Sequence, residues 1–251
     1  LICVNLIMVE FNGMGMNLRK FFYKSINKLI SKFKKENFTL DDNIPISYLI
    51  SFLWSKIFCC IYGMIRLLSF RRVFIHPTAT IKCSSKLRFG RNFTVGRECY
   101  INALSEEGLT CGDNVSMGFH THIDLTGSLK NIAKGIKIGN NVGLGSHGHY
   151  GSGVGGLEIG DDTIIGNYVS FHPENHNYSD LSIPIRLQGV SGKGIIVGEN
   201  CWIGAKATFL DGAEIGNGCV VAAGAIVKDK FPDNVIIGGI PARILKDRKA
   251  S

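Results

Sequence analysis

The sequence predicts an all-β fold, a parallel β-helix preceded by an N-terminal α-helical segment, and three observations carry this expectation. Val197, Ile203, Phe209, Ile215, Val221 and Val227 recur at a constant step of six residues. Gly198, Gly204 and Gly216 follow the aliphatic position, and Cys201, Ala207, Ala213, Cys219 and Ala225 stand four places after it. From Met16 to Arg72 the chain is instead basic and helix-periodic. A period of six fits neither a helix nor a hairpin. It fits a hexapeptide solenoid, in which each repeat is a short strand plus a bend. The aliphatic side chain fills the core, the residue four places on must be small to share it, and glycine lets the backbone turn. Three such sides close a triangular coil, and coils stack at about the 4.7–4.9 Å spacing of strands.

The chain divides on this reading into residues 1–72, a basic amphipathic and apolar helical segment, and 73–251, the β-helix. Leu1 is not a normal start, and "LICVNLIMV" lacks the basic region and cleavage site of a signal peptide. Translation is therefore expected to begin at Met16, leaving 1–15 untranslated. Between Met16 and Phe38, Phe22, Ile26, Leu29, Ile30 and Phe33 fall at helical spacing, with Lys20, Lys24, Lys28 and Lys32 in a row four apart. After the polar break "TLDDNIP", residues 46–70 are long and apolar. Lys56 and Arg66 oppose a membrane-spanning reading, since a central cation costs about 2.5–3.5 kcal/mol. Ser51, Ser55, Tyr62, Arg66 and Ser69 line up as a polar stripe, so the expectation is a helix at a membrane interface or packed on protein. Met16 to Arg72 holds eleven Lys or Arg against Glu36, Asp41 and Asp42, an excess of eight that equals the net charge of +8 for the whole chain. The near-neutral remainder argues against a nucleic-acid partner, and the basic segment points to an anionic membrane surface.

The solenoid opens with Ile75 and Ile81 as core positions and continues through Phe89, Val95, Cys111, Met117, Ile138, Leu144, Ile159, Ile165 and Phe171. Short insertions make the starts drift; "ALSEEG" and "TGSLKNIAKG" read as corner loops, and the longest excursion lies between Phe171 and Gly194. A long departure from a strict period is where a solenoid places its function. The eight cysteines show no CxxC spacing, and Cys99, Cys201 and Cys219 occupy the small core position, as expected of buried thiols in a reducing cytosol.

The run "VGENCWIGAKATFLDGAEIGNGCVVAAGAIVKD", followed by "NVIIGGIPARILKD", resembles the hexapeptide-repeat acyltransferases, nearest to the galactoside, maltose and polysaccharide-sugar O-acetyltransferases. The resemblance implies left-handed coiling, against the usual crossover rule. It also implies a homotrimer whose active site lies between neighbouring subunits, with acetyl-CoA as co-substrate and no required metal.

The catalytic loop is expected at 172–194. Counted without gaps from "IGDDTIIGNYVSF", His176 falls where the resembled enzymes keep a catalytic histidine. The residue type suits the task, because an acceptor hydroxyl attacking a thioester must lose its proton and a neutral imidazole can take it near pH 7. A backbone carbonyl or Glu174 would hold its other nitrogen. His172 is the rival base. Asn175, Asn177, Tyr178 and Asp180 either orient sugar hydroxyls or serve as turn formers. In "GLGSHGHYGSGVGG", Ser146, His147 and His149 either line the same cleft with glycines leaving room for a sugar, or mark a flexible corner insertion. Ala205 and Ala223 lie eighteen residues apart, one coil, so they stack as a shallow trench along which a pantetheine arm would meet exposed strand amides. Lys228, Arg243 and Lys246 are candidates for the coenzyme phosphates, Arg matching a planar bidentate contact. The resembled family has a Thr-Lys pair where this chain has Lys228-Asp229, with Lys230 displaced by one.

The function expected is acetyl-CoA-dependent O-acetylation of a sugar, glycolipid or polysaccharide acceptor in bacterial capsule, O-antigen or exopolysaccharide synthesis, on the cytoplasmic face of the inner membrane. Two alternatives stand beside it. One is a γ-type carbonic anhydrase with three histidines on zinc across a trimer interface. The other is a catalytically silent solenoid that anchors partners to the membrane.

Overall fold

The computed structural model describes residues 23–28, 31, 39–41, 43–126 and 128–248. The expected start at Met16 lies outside them, as do Lys20, Lys32, Phe22, Leu29, Ile30 and Phe33. Chain contacts divide the molecule into two compact units, Leu1–Phe58 and Cys59–Ser251.

In the first unit, residues 23–28 are helical, with Tyr23 and Ile26 buried and Lys24 and Lys28 exposed. Those two side chains cluster with Ile46 and Leu49; the burial of Ile26 opposite exposed Lys24 and Lys28 is the division of faces the periodicity predicts, and Tyr23 is an addition to it. The polar break is an ordered turn. Asp41 accepts the amide of Asn43 at 2.8 Å on its side chain and that of Ile44 at 3.2 Å on its carbonyl. Pro45 follows, a residue suited to the position just ahead of a helix because it has no amide to satisfy. The long helix Ile46–Arg66 then begins.

In the second unit three parallel sheets form the faces of a solenoid. The first holds eight parallel strands from Val73–Ile75 to Val235–Gly239 and is closed by the antiparallel strand Ala242–Asp247. The second and third hold seven each, from Thr80–Lys82 to Ile226–Val227 and from Leu87–Phe89 to Lys230–Phe231. Every expected core position is buried except Phe89, which is half-buried. The structure adds Ile101, Ile123 and Tyr150, which complete the core column of the second sheet. Cys99, Cys201 and Cys219 are buried, free thiols as expected. They lend their Sγ hydrogens to carbonyls, Cys99 to Gly118 at 2.9 Å for example.

A solenoid's end coils need covers. At the start, Tyr62, Met64 and Leu67 pack on the core, and a Cβ at Gly63 would stand 2.7 Å from the carbonyl of Val73, so helix and first coil approach as closely as glycine permits. At the other end the returning strand Ala242–Asp247 buries Ala242. The corners from third to first sheet carry Asn92, Asn114, Asn141 and Asp162, all at positive φ, where Asn and Asp are favoured. Each asparagine amide donates to the next residue's Oδ1 at 2.7–2.8 Å, so the ladder ties successive coils together.

The insertions obey a simple rule. Segments 103–108, 125–135, 152–156 and 173–194 all join the second sheet to the third, so they stack at one edge. The glycine-rich stretch from Gly143 to Gly156 is therefore mostly regular coil, with strands Gly143–Leu144 and His149–Gly151, rather than one flexible insertion.

Candidate active site

Between those stacked loops lies a cleft of about 570 Å³. Asp124, His149, Gly151 and His172 line it from the second sheet, Lys130 from the loop 125–135, and Glu174, His176 and Arg186 from the longest excursion. The residues expected to do chemistry, His172, Glu174 and His176, thus come together. A single chain forms this cleft, whereas the sequence leads one to expect no deep pocket without a second subunit.

The excursion is a pinned hairpin. Asn175–His176 pairs antiparallel with Val190–Ser191, His176 opposite Val190. Both feet are fastened to the next coil through Asp211, whose Oδ1 accepts the amides of Lys193 at 2.6 Å and Gly194 at 2.9 Å while Oδ2 accepts Asn175 Nδ2 at 3.1 Å. Asn175 is therefore a fastener, and Asn177 braces the hairpin by donating to Gln188 O at 3.0 Å and accepting Ser191 Oγ at 2.9 Å. Asp180 belongs to the turn, accepting Ser182 Oγ at 2.6 Å. Tyr178 is exposed and outside the cleft lining. The polar loop residues other than Tyr178 read as turn formers and braces.

Glu174 is not seen holding His176. Its Oε2 accepts the amide of Val154 at 3.2 Å, and Gly153, at φ +48°, makes room because a Cβ there would stand 2.7 Å from the Glu174 side chain. His149 and His172 sit diagonally on successive coils with ring centroids 5.7 Å apart, and His122 stacks below His149 at 5.4 Å. Partial removal from water, then the neighbouring imidazoles of His122 and His172, push the His149 pKa below the ordinary histidine value. The bare Gly151 leaves a gap between Asp124 and the level of His172, and this gap forms the floor of the cleft. Sequence reasoning did not single out Asp124, Lys130, Arg186 or Asp211, because uneven insertions hide which residues share a level.

The remaining candidates lie at another edge. Backbone amides of Tyr168, Lys206 and Gly224 donate to the carbonyls of Ser146, Asn167 and Ala205 at 2.9–3.0 Å. That ladder places Ser146, Ala205 and Ala223 in one column at the corner between first and second sheets. His147 belongs there too, stacked between His120 and Tyr168 at 4.9 and 4.8 Å, and neither it nor Ser146 lines the cleft. Ala205 and Ala223 are exposed as expected, but they sit in turns rather than along strands, because the second residue after the core position is already in the bend. Lys228 and Asp229 instead lie where the second sheet passes to the third, in the last coil; Arg243, on the closing strand, pairs with Asp229 at 3.3 Å, while Lys228 and Lys246 are exposed. Lys230 is engaged by Glu214.

Residues 194–229 match the family model for the bacterial transferase hexapeptide, six repeats. The chain is 30% identical over 173 residues to the putative lipopolysaccharide biosynthesis O-acetyl transferase WbbJ of Escherichia coli (strain K12), covering 66% of this chain and 74% of that protein. The chain belongs to the hexapeptide-repeat transferase family. Its solenoid is accordingly the left-handed parallel β-helix. The transferase is also 32% identical over 99 residues to the galactoside O-acetyltransferase of the same organism, covering 36% of this chain and 44% of that relative. Among solved structures, a variant of AntD, an N-acyltransferase from Bacillus cereus in complex with dTDP and coenzyme A, covers 71% of this chain and 82% of its own at 22% identity and a TM-score of 0.43.

Proposed function

We propose that this transferase moves an acetyl group from acetyl-CoA to a sugar hydroxyl in the synthesis of a bacterial capsule, O-antigen or exopolysaccharide. The observation that carries the reading is that His172 and His176 line one cleft of the insertion edge, in a chain of this family. His176 is the base: as the acceptor oxygen bonds to the acetyl carbon, its imidazole takes the hydroxyl proton, and it returns that proton as the thiol departs. The thioester supplies an activated acyl group. Residues of this chain supply position and proton transfer.

The placement of the candidates supports a shared site. The coenzyme column of Ala205 and Ala223 and the cleft flank opposite edges of the second sheet, separated by a three-residue strand, about 10 Å at 3.3 Å per residue. In the arrangement we favour, a pantetheine arm on that column meets the cleft of a neighbouring copy. The outward face of the first sheet offers an association surface, since Ile164 and Trp202, paired in register, are 63% and 60% exposed. A homotrimer on the cytoplasmic face of the inner membrane is the arrangement we favour. Attachment to lipid is supported by the long helix, which is long and apolar enough to cross a membrane and exposes Tyr48, Phe52, Trp54 and Phe58.

The test is release of free thiol from acetyl-CoA in the presence of a panel of acceptor sugars. His176→Ala is expected to lower kcat by about 10²–10⁴-fold with little change in the KM for acetyl-CoA, and His172→Ala to be milder. Near-normal transfer by His176→Ala, with loss of transfer in His172→Ala, would reverse the assignment.

A further inference from the structure

The cleft is lined by two carboxylates and two cations, and they are not equally engaged. Its two carboxylates are engaged: Asp124 Oδ1 accepts Asn102 Nδ2 at 3.0 Å and its Oδ2 lies 3.8 Å from His122 Nε2, while Glu174 accepts the Val154 amide. The side chains of Lys130 and Arg186, by contrast, make no hydrogen bond or ion pair among the described residues, although both line the cleft. They arrive on different insertions. Arg186 is displayed from the short helical turn Ile185–Leu187, which Gln188 holds in place by donating to Asp180 O at 2.7 Å and Ile183 O at 3.0 Å and by accepting the Asp180 amide at 3.1 Å. A loop braced to this degree holds the arginine's backbone in one place at the side of the cleft.

We infer that the acceptor sugar carries an anionic oxyacid group, a phosphate or a carboxylate, and that Lys130 and Arg186 bind it at the rim while the hydroxyl to be acetylated reaches the histidines. This deepens the function proposed above and rests on it. The guanidinium fork matches either oxyanion with two parallel hydrogen bonds, and the ammonium adds a point charge.

The experiment compares kcat/KM of the full-length protein for a neutral hexose, the corresponding uronic acid and the corresponding hexose 1-phosphate. At least one anionic acceptor is expected to exceed the neutral one by about tenfold or more, and Arg186→Gln or Lys130→Gln to bring that ratio down toward one, since each removes a charge-assisted contact. Arg186→Lys should retain part of it. The KM for acetyl-CoA should not move. Preference for the phosphate or for the uronate identifies the source of the anion. Both side chains are exposed, so unchanged melting temperatures will show that the variants fold. Equal use of neutral and anionic sugars, unaltered by either substitution, overturns the inference and leaves the transferase reading standing. A rise confined to the KM for acetyl-CoA also overturns it, by giving the cations to the coenzyme. No transfer to any sugar overturns both readings.

Discussion

Tyr150 stands in the core column of the second sheet where its neighbours are Ile123 and Phe171, fully buried and stacked on Phe171 at 5.3 Å. Its hydroxyl has no hydrogen-bond partner among the described residues, and burial pushes its pKa far above the ordinary phenol value. An unsatisfied buried hydroxyl costs about 1–3 kcal/mol, so Tyr150→Phe, which keeps the ring and its stacking, should raise stability by about 1 kcal/mol or more. A urea midpoint measures this. A drop in the midpoint would show that the hydroxyl is satisfied in solution. The residue also shows what periodicity conceals: Tyr150 follows two glycine-flanked histidines and precedes "GSGVGG", so nothing in its neighbourhood signals a core position until strand register assigns it.

Among elements, the hairpin 173–194 is held at its feet by one carboxylate. Asp211→Ala removes three hydrogen bonds from the base of the excursion but none from the parallel ladders, so kcat for acetyl transfer should fall by about 10–100-fold while far-ultraviolet circular dichroism of the solenoid stays unchanged. The scale is that of misplacing a catalytic group. Unaltered kcat would mean that the hairpin keeps its position by pairing alone. The long helix carries a separate expectation. Removal of residues before Arg71 should abolish sedimentation with anionic vesicles, each exposed cation near such a surface contributing about 1 kcal/mol; equal sedimentation of truncated and full-length protein would sink the attachment. The two elements differ in how far sequence revealed them. Val197 to Val227 repeats without interruption, and there every core position is read correctly. Upstream, strands that pair in the structure stand at irregular separations, as His122 and His149 do. His149, His172 and His176 could therefore be marked as candidates, but their common cleft could not be drawn, and Asp211, a fastener rather than a reactive group, had no chemical signature to find.

At the scale of the whole molecule, the placement of the Ala205 and Ala223 column and the cleft on opposite edges of the second sheet has a direct consequence for mixing. If the site is shared, a preparation refolded from His176→Ala chains and Ala205→Trp/Ala223→Trp chains should recover activity that neither parent shows, since some interfaces combine an intact cleft with an intact column. Light scattering at micromolar concentration should give a trimer. Fully active monomer, or no recovery on mixing, would place both halves of the site in one chain.

The alignment of every insertion along one edge separates two kinds of inheritance. Beneath that edge the prism keeps one cross-section from coil to coil, so a loop can lengthen, shorten or be exchanged without any strand changing its partner. Segments 125–135 and 173–194 line the same cleft from two levels, and they are therefore expected to vary as a pair. Transplanting them together from a sister enzyme should carry acceptor preference into this scaffold, whereas transplanting either alone should give a well-folded protein with a mismatched mouth.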